Sequence, residues 1–139
     1  MKKIFFFSLL TLGLYAGTSF LALDWDILRE YSAGKKLPEK LSAAQKQKVK
    51  MPGFMIPLED YAEMTSEFLL VPVPMACIHV PAPPPNQIVH VKMKKNKQVP
   101  LIFYEPVWVY GDLRIEKKKN IYASSLFFLS GDDVEIYDE

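Results

Sequence analysis

The chain of 139 residues has a single cysteine, two histidines and almost no charge imbalance, with 17 basic against 16 acidic side chains. One cysteine excludes an internal disulfide, so Cys77 is a buried thiol, an intermolecular partner, a reactive group or a metal ligand. Balanced charge excludes a global field that would gather nucleic acid or an anionic membrane, so such a partner needs a local patch. No G-x-S-x-G elbow, H-E-x-x-H pair or glycine-rich phosphate loop occurs. The carboxylates Glu59, Asp60, Glu63 and Glu67 read as a solvated stretch. Catalytic residues are therefore not assigned, and the chain is expected to be no enzyme. Internal repeats are also lacking, and the length suits one domain with one core.

What is present begins with a leader. Lys2 and Lys3 precede an uncharged run from Ile4 to Leu23, with the small residues Gly17 and Ser19 inside it. This is secretory-signal grammar, with cleavage expected near Ser19 inside a 16–23 window. The run also has about the length of a membrane anchor, so a membrane association is expected only if it is retained. No cysteine follows it, which excludes a lipoprotein-type attachment. The mature chain is expected to be periplasmic or secreted.

Residues 20–48 read as a short helix and a polar connection. Trp25, Leu28 and Tyr31 recur at helical spacing behind Asp24, a residue that caps first turns, and a further turn is expected around Leu41 to Gln47. Residues 49–139 read as β-type segments: Val49 to Leu58, Ser66 to Val73, Ala76 to Val80, Gln87 to Met93, Val107 to Glu116, Ala123 to Leu129 and Val134 to Tyr137. In Val107-Trp-Val-Tyr-Gly-Asp-Leu-Arg-Ile-Glu116 the residues Val107, Val109, Gly111, Leu113 and Ile115 share one side, and Gly111 marks a bulge or bend. The lysine runs at Lys92 to Lys97 and Lys117 to Asn120 read as hairpin tips. The expected fold is all-β: a small curled antiparallel sheet, or a barrel like the oligonucleotide/oligosaccharide-binding (OB) fold, with a short N-terminal helix.

Rare residues cluster between Met75 and His90. On a strand, Met75, Cys77 and His79 would share a face while Ala76, Ile78 and Val80 enter the core. Side chains two apart on a strand sit about 7 Å apart at the backbone, which suits a shared metal better than a direct thiol–imidazole pair. Cys77, His79 and His90 are the candidate ligands, with Met75 or Glu59 as a supplement. Thiolate with imidazole suits zinc, and the added thioether makes copper the alternative. The competing reading is a buried thiol with a satisfied histidine. Next to them, Pro81-Ala-Pro-Pro-Pro85 favours a stiff polyproline II segment. Pro83, Pro84, Pro85, Asn86 and Gln87 then become a rigid docking loop. Trp108, Tyr110 and the lysine tips form a weaker nucleic-acid surface, and no nucleic acid is expected as a partner.

The segments Met51-Pro-Gly-Phe-Met-Ile-Pro-Leu-Glu59, Glu67-Phe-Leu-Leu-Val-Pro72, Ala76-Cys-Ile-His-Val-Pro81, Pro83-Pro-Pro-Asn-Gln87 and Pro106-Val-Trp-Val-Tyr-Gly-Asp-Leu113 together resemble the exported bacterial family called domain of unknown function 3299. The resemblance runs from about Asp24 to Glu139. It implies a small non-enzymatic β domain whose hallmarks are the Cys-x-His and Pro-Pro-Pro-Asn-Gln elements, and it connects some members with zinc uptake. Ala82 departs from an unbroken proline run, and His90 stands where the resemblance places an aromatic residue. The functional expectation is an exported zinc-binding accessory protein serving an envelope transporter component or another periplasmic protein. The alternative is a non-catalytic module that docks a partner through residues 81–87.

Overall fold

The computed structural model describes residues 17–74 and 81–138. Residues 1–16, which hold most of the expected leader, and the expected strand Ala76 to Val80 lie outside the described residues. Strand β1 (Leu21–Ala22) leads into helix α1 (Trp25–Arg29), started by the Asp24 carboxylate, which accepts from the Ile27 backbone N–H at 3.0 Å. Helix α2 (Glu39–Ala44) follows, then strands β2 (Val49–Pro57), β3 (Met64–Thr65), β4 (Glu67–Val71), β5 (Val89–Met93), β6 (Val99–Pro100), β7 (Val107–Lys119) and β8 (Ser124–Ile136). Short 3₁₀ turns occupy Pro85–Gln87 and Lys94–Asn96.

The long strands close into a ring: β2 pairs with β4, β4 with β5, β5 with β8, β8 with β7, and β7 returns to β2. β1 lies along β2, and β3 with β6 forms a separate small ribbon. The fold is mostly β, as expected, but the expected antiparallel sheet is corrected to a mixed one. β5 runs parallel to β8 and β1 parallel to β2. The reason is the crossover after β5: β7 joins the ring beside β2, and β8 then turns back into the remaining gap.

Alternation in β7 fixes what faces inward. Val107, Val109, Gly111 and Leu113 are buried, while Trp108, Tyr110 and Asp112 are half-buried on the outside. Helices α1 and α2 contribute Trp25, Ile27, Leu28, Leu41 and Ala44 to the same core as Phe68, Leu70, Val91 and Phe127. Each such large side chain stabilises the fold by about 1.5–3 kcal/mol relative to exposure. A second, outer cluster of Leu69, Val71 and Ile88 packs with Phe54, Ile56 and Leu58. Burial on both faces explains the unbroken apolar run Phe68-Leu-Leu-Val71, which departs from strict alternation.

Two expected strands, Ala123 to Leu129 and Val134 to Tyr137, are one continuous strand. Gly131-Asp132-Asp133 reads as a turn, but Gly111 pairs directly with Gly131 while Tyr110 pairs with Asp133. Asp132 is thus the extra residue of a β-bulge, confirming the irregularity marked by Gly111. The Lys117 to Asn120 tip is likewise corrected: Lys117, Lys118 and Lys119 still belong to β7, and the turn lies at Asn120–Ala123.

The bulge aims Asp132 at a four-membered ion cluster. Lys48 Nζ lies 2.7 Å from Asp112 Oδ2 and 2.7 Å from Asp132 Oδ2. Lys94 Nζ donates to Asp112 and, at 2.6 Å, to Asp132 Oδ1. Burial pushes both carboxyls upward, but the Lys48 and Lys94 hydrogen bonds outweigh it and hold them below the ordinary aspartate value. Lys48 is raised in turn, chiefly by its hydrogen bond to Asp112. Depressed carboxyls stabilise the fold above their unfolded pKa near 3.9, and that contribution is lost as pH falls through the lower folded values. Asp112→Asn with Asp132→Asn is therefore expected to flatten the acid limb of stability below about pH 4. At neutral pH these half-exposed pairs are worth about 1 kcal/mol after screening. Urea melts between pH 2 and 7 check it, and a pair of variants with an unchanged acid slope would refute it.

Candidate binding surface

The site begins where β4 and β5 pair. Leu69 stands opposite His90 and Glu67 opposite Lys92. From that register Glu67 reaches diagonally, placing Oε1 2.6 Å from His90 Nε2, while its Oε2 lies 3.8 Å from Lys92 Nζ. The His90 side chain is 8% exposed. Its ring stacks on Phe128, the neighbour across the parallel β5–β8 pairing, with centroids 5.9 Å apart and 24° between planes. His90 thus packs as an aromatic ring between strands as well as carrying a titratable side chain. With Nε2 occupied by Glu67, Nδ1 is buried and has no hydrogen-bond partner among the described residues.

Cys77, His79 and Met75 lie outside the described residues, between Pro74 and Pro81. Among the described residues no group of three or more His, Cys, Asp or Glu side chains is arranged to hold a metal. Glu59, the supplementary ligand candidate, is exposed. Glu67 is the residue sequence reasoning missed, because beside Glu59, Asp60 and Glu63 it reads as one more solvated carboxylate. Its signal was its place in β4, two residues before Leu69, one diagonal step from His90.

The docking-loop residues divide sharply. Pro84 and Pro85 are exposed and Pro83 is half-buried. Asn86 is half-buried and Gln87 buried, and both turn their side-chain amides toward α1 and the residues after it. Asn86 Nδ2 donates to the carbonyls of Arg29 at 3.1 Å and Tyr31 at 3.0 Å. Gln87, 5% exposed, accepts at Oε1 from Arg29 Nε at 3.1 Å and donates from Nε2 to the Trp25 carbonyl at 3.4 Å. Of these carbonyls, that of Arg29 belongs to the last turn of α1 and has no helical donor, while Trp25 opens the helix and Tyr31 follows it. Gln87 also ends a 3₁₀ turn rather than opening β5, its N–H donating to the Pro84 carbonyl at 2.8 Å.

Trp108 and Tyr110 are not open stacking platforms. Trp108 stacks on Tyr137 at 4.9 Å with Lys50 Nζ 4.5 Å from its ring centroid, and Phe20 meets Tyr110 edge-on at 4.9 Å. The Tyr110 hydroxyl donates to Glu135 Oε2 at 2.8 Å; burial first, then this bond, raises its pKa.

The family model described as "Protein of unknown function (DUF3299)" matches residues 28–136. The chain belongs to the DUF3299 family. A crystal structure of a DUF3299 family protein from Pseudomonas aeruginosa PAO1 is similar at 30% identity and a TM-score of 0.65, covering 87% of this chain and 98% of that one. No functionally curated protein matches the chain. Both the β4–β5 pair and the Asn86–Gln87 clamp fall inside the span of this DUF3299 match. Among the described residues no helix is long and apolar enough to cross a membrane.

Proposed function

We propose that this DUF3299 chain is an exported, non-catalytic accessory protein that holds zinc through Cys77, His79 and His90, with copper as the alternative metal and an envelope transport component as its partner. The observation that carries the reading is the Glu67–His90 pair. A metal-bound imidazole characteristically gives its second ring nitrogen to a carboxylate, which fixes the tautomer and leaves the other nitrogen as a ligand. Glu67 on Nε2 and an orphaned Nδ1 match that arrangement. Cys77 would supply a thiolate and His79 a second imidazole, a donor set that favours zinc. The ring of five long strands, with β8 between β5 and β7, supports an OB-like barrel as the scaffold.

A second reading, docking of a protein partner through residues 81–87, is favoured by the Asn86 and Gln87 clamp. It holds Pro84 and Pro85 outward at no further ordering cost. One experiment separates the two. Zinc added to the reduced protein is expected to raise its melting temperature, and Cys77→Ser with His79→Ala to abolish the rise. His90→Phe, which keeps the stack on Phe128, is expected to weaken zinc at least tenfold. Absence of zinc or copper binding by the reduced wild type would sink the metal reading. Capture of an envelope partner that survives the Cys77/His79 double variant, but fails when residues 81–85 become Gly/Ser, would select the docking reading.

A further inference from the structure

The β7–β8 hairpin ends in a tip that neither reading uses. Asn120 N–H donates to the Ala123 carbonyl at 3.0 Å, and the Asn120 side chain accepts from the N–H groups of Tyr122 at 2.8 Å and Ala123 at 2.9 Å. This locked turn holds two apolar side chains at its apex, Ile121 at 87% and Tyr122 at 49% exposure. Ordinary solvated turns carry small polar residues at such places. Directly behind them stand Lys117, Lys118 and Lys119. Lys117 and Lys119 are exposed and make no ion pair among the described residues, whereas Lys118 reaches Glu116 at 2.7 Å.

No carboxylate occurs between Glu116 and Asp132 in the chain. The acidic end of β8 begins seven residues beyond Ser125, roughly 23 Å along a strand rising about 3.3 Å per residue. At physiological salt the Debye length is about 8 Å, so those distant acids do not neutralise the tip. Glu116 offsets Lys118, so Lys117 and Lys119 leave the tip with a local positive charge that the overall balance conceals. Lys117 shares a groove with Ser32, Ala33, Pro84, Pro85, Asn86, Ser124 and Leu126, all of them uncharged.

We infer that the hairpin tip 117–122 docks on an anionic lipid surface, with Ile121 and Tyr122 entering the headgroup region and the lysines meeting lipid phosphates. Charge complementarity selects the lipid's sign, and the apolar apex separates a membrane from a soluble polyanion. Tyrosine is suited to the interface, having an apolar ring and a polar end, and lysine stems lie along apolar surface while their ammonium groups stay in water.

The test is cosedimentation of the full chain with phosphatidylcholine vesicles, with and without phosphatidylglycerol. The readout is the excess binding to the anionic vesicles, so insertion of the N-terminal apolar run into both kinds cancels. The excess is expected to fall as salt is raised, to drop at least tenfold in Lys117→Glu with Lys119→Glu, and to drop severalfold in Ile121→Ser. These exposed substitutions should leave the melting temperature unchanged. No excess for the wild type would overturn the inference, as would an excess that survives the double charge reversal. Retention of the full excess by Ile121→Ser would reassign the tip to polyanions in general and equally overturn it.

Discussion

Gly111→Ala is expected to lower the unfolding free energy by about 3 kcal/mol or more, whereas Gly131→Ala, at the residue paired with it, should cost about 1 kcal/mol. A Cβ on Gly111 would lie 2.2 Å from the Ser130 carbonyl oxygen and 2.8 Å from Leu129 Cδ2. The first contact is with backbone, so relief requires strand β7 to move away from β8 exactly where the register shifts. A Cβ on Gly131 would instead meet Met93 Sδ at 2.5 Å, the movable end of an unbranched side chain. Neither glycine has the left-handed backbone that requires the residue on conformational grounds; among the described glycines only Gly34 does. The difference between the two variants is therefore one of contact alone. Urea denaturation of both proteins checks it, and equal losses would show that the bulge, rather than the close approach, sets the cost. Since small domains are stable by only about 5–15 kcal/mol, the Gly111 variant should also lose a measurable share of its folded population on warming.

Gly111 was legible because a glycine in the middle of a five-position alternation has few explanations. Gly131 was not, because Gly-Asp-Asp is also what a turn looks like, and only the ladder on β7 shows that the chain carries straight on. The same holds for the lysines. A run of Lys-Lys-Lys-Asn suits a loop by composition, yet lysines are tolerated in a strand where, as at Lys117 and Lys119, they face solvent. The parallel β5–β8 pairing left no local trace at all, since strand periodicity reports which face is buried and not which neighbour lies alongside. At the candidate site, the cluster from Met75 to His90 joined residues with different duties. Asn86 and Gln87 read as contact residues because polar side chains after a proline run look exposed, whereas their amides also donate to the carbonyls of Trp25, Arg29 and Tyr31, along and just after α1. His90 drew attention as a rare residue, while its partner Glu67 was hidden among other acids, twenty-three residues earlier.

Trp25→Ala is expected to cost about 3–5 kcal/mol, the range for removing a buried large aromatic. Trp25 is 8% exposed in the main core, and its Nε1–H donates to the Pro52 carbonyl at 2.7 Å, tying α1 to strand β2. Trp25→Phe keeps most of the apolar area and removes the donor, so it should cost nearer 1–3 kcal/mol, part of it from the carbonyl left unpaired. The larger substitution has a second consequence. Helix α1 is the platform for the proline strap, because the carbonyls of Trp25, Arg29 and Tyr31 receive the amides of Gln87 and Asn86. Loosening α1 should therefore release the clamp at the strap's exit. Amide exchange is expected to rise at Asn86 and Gln87 in Trp25→Ala well before the ring of long strands opens. The Gln87 N–H, which donates to Pro84 at 2.8 Å, is the reporter. Exchange at Gln87 that stays as slow as at Val91 would mean that the strap is held without α1, and that its rigidity comes from the prolines alone.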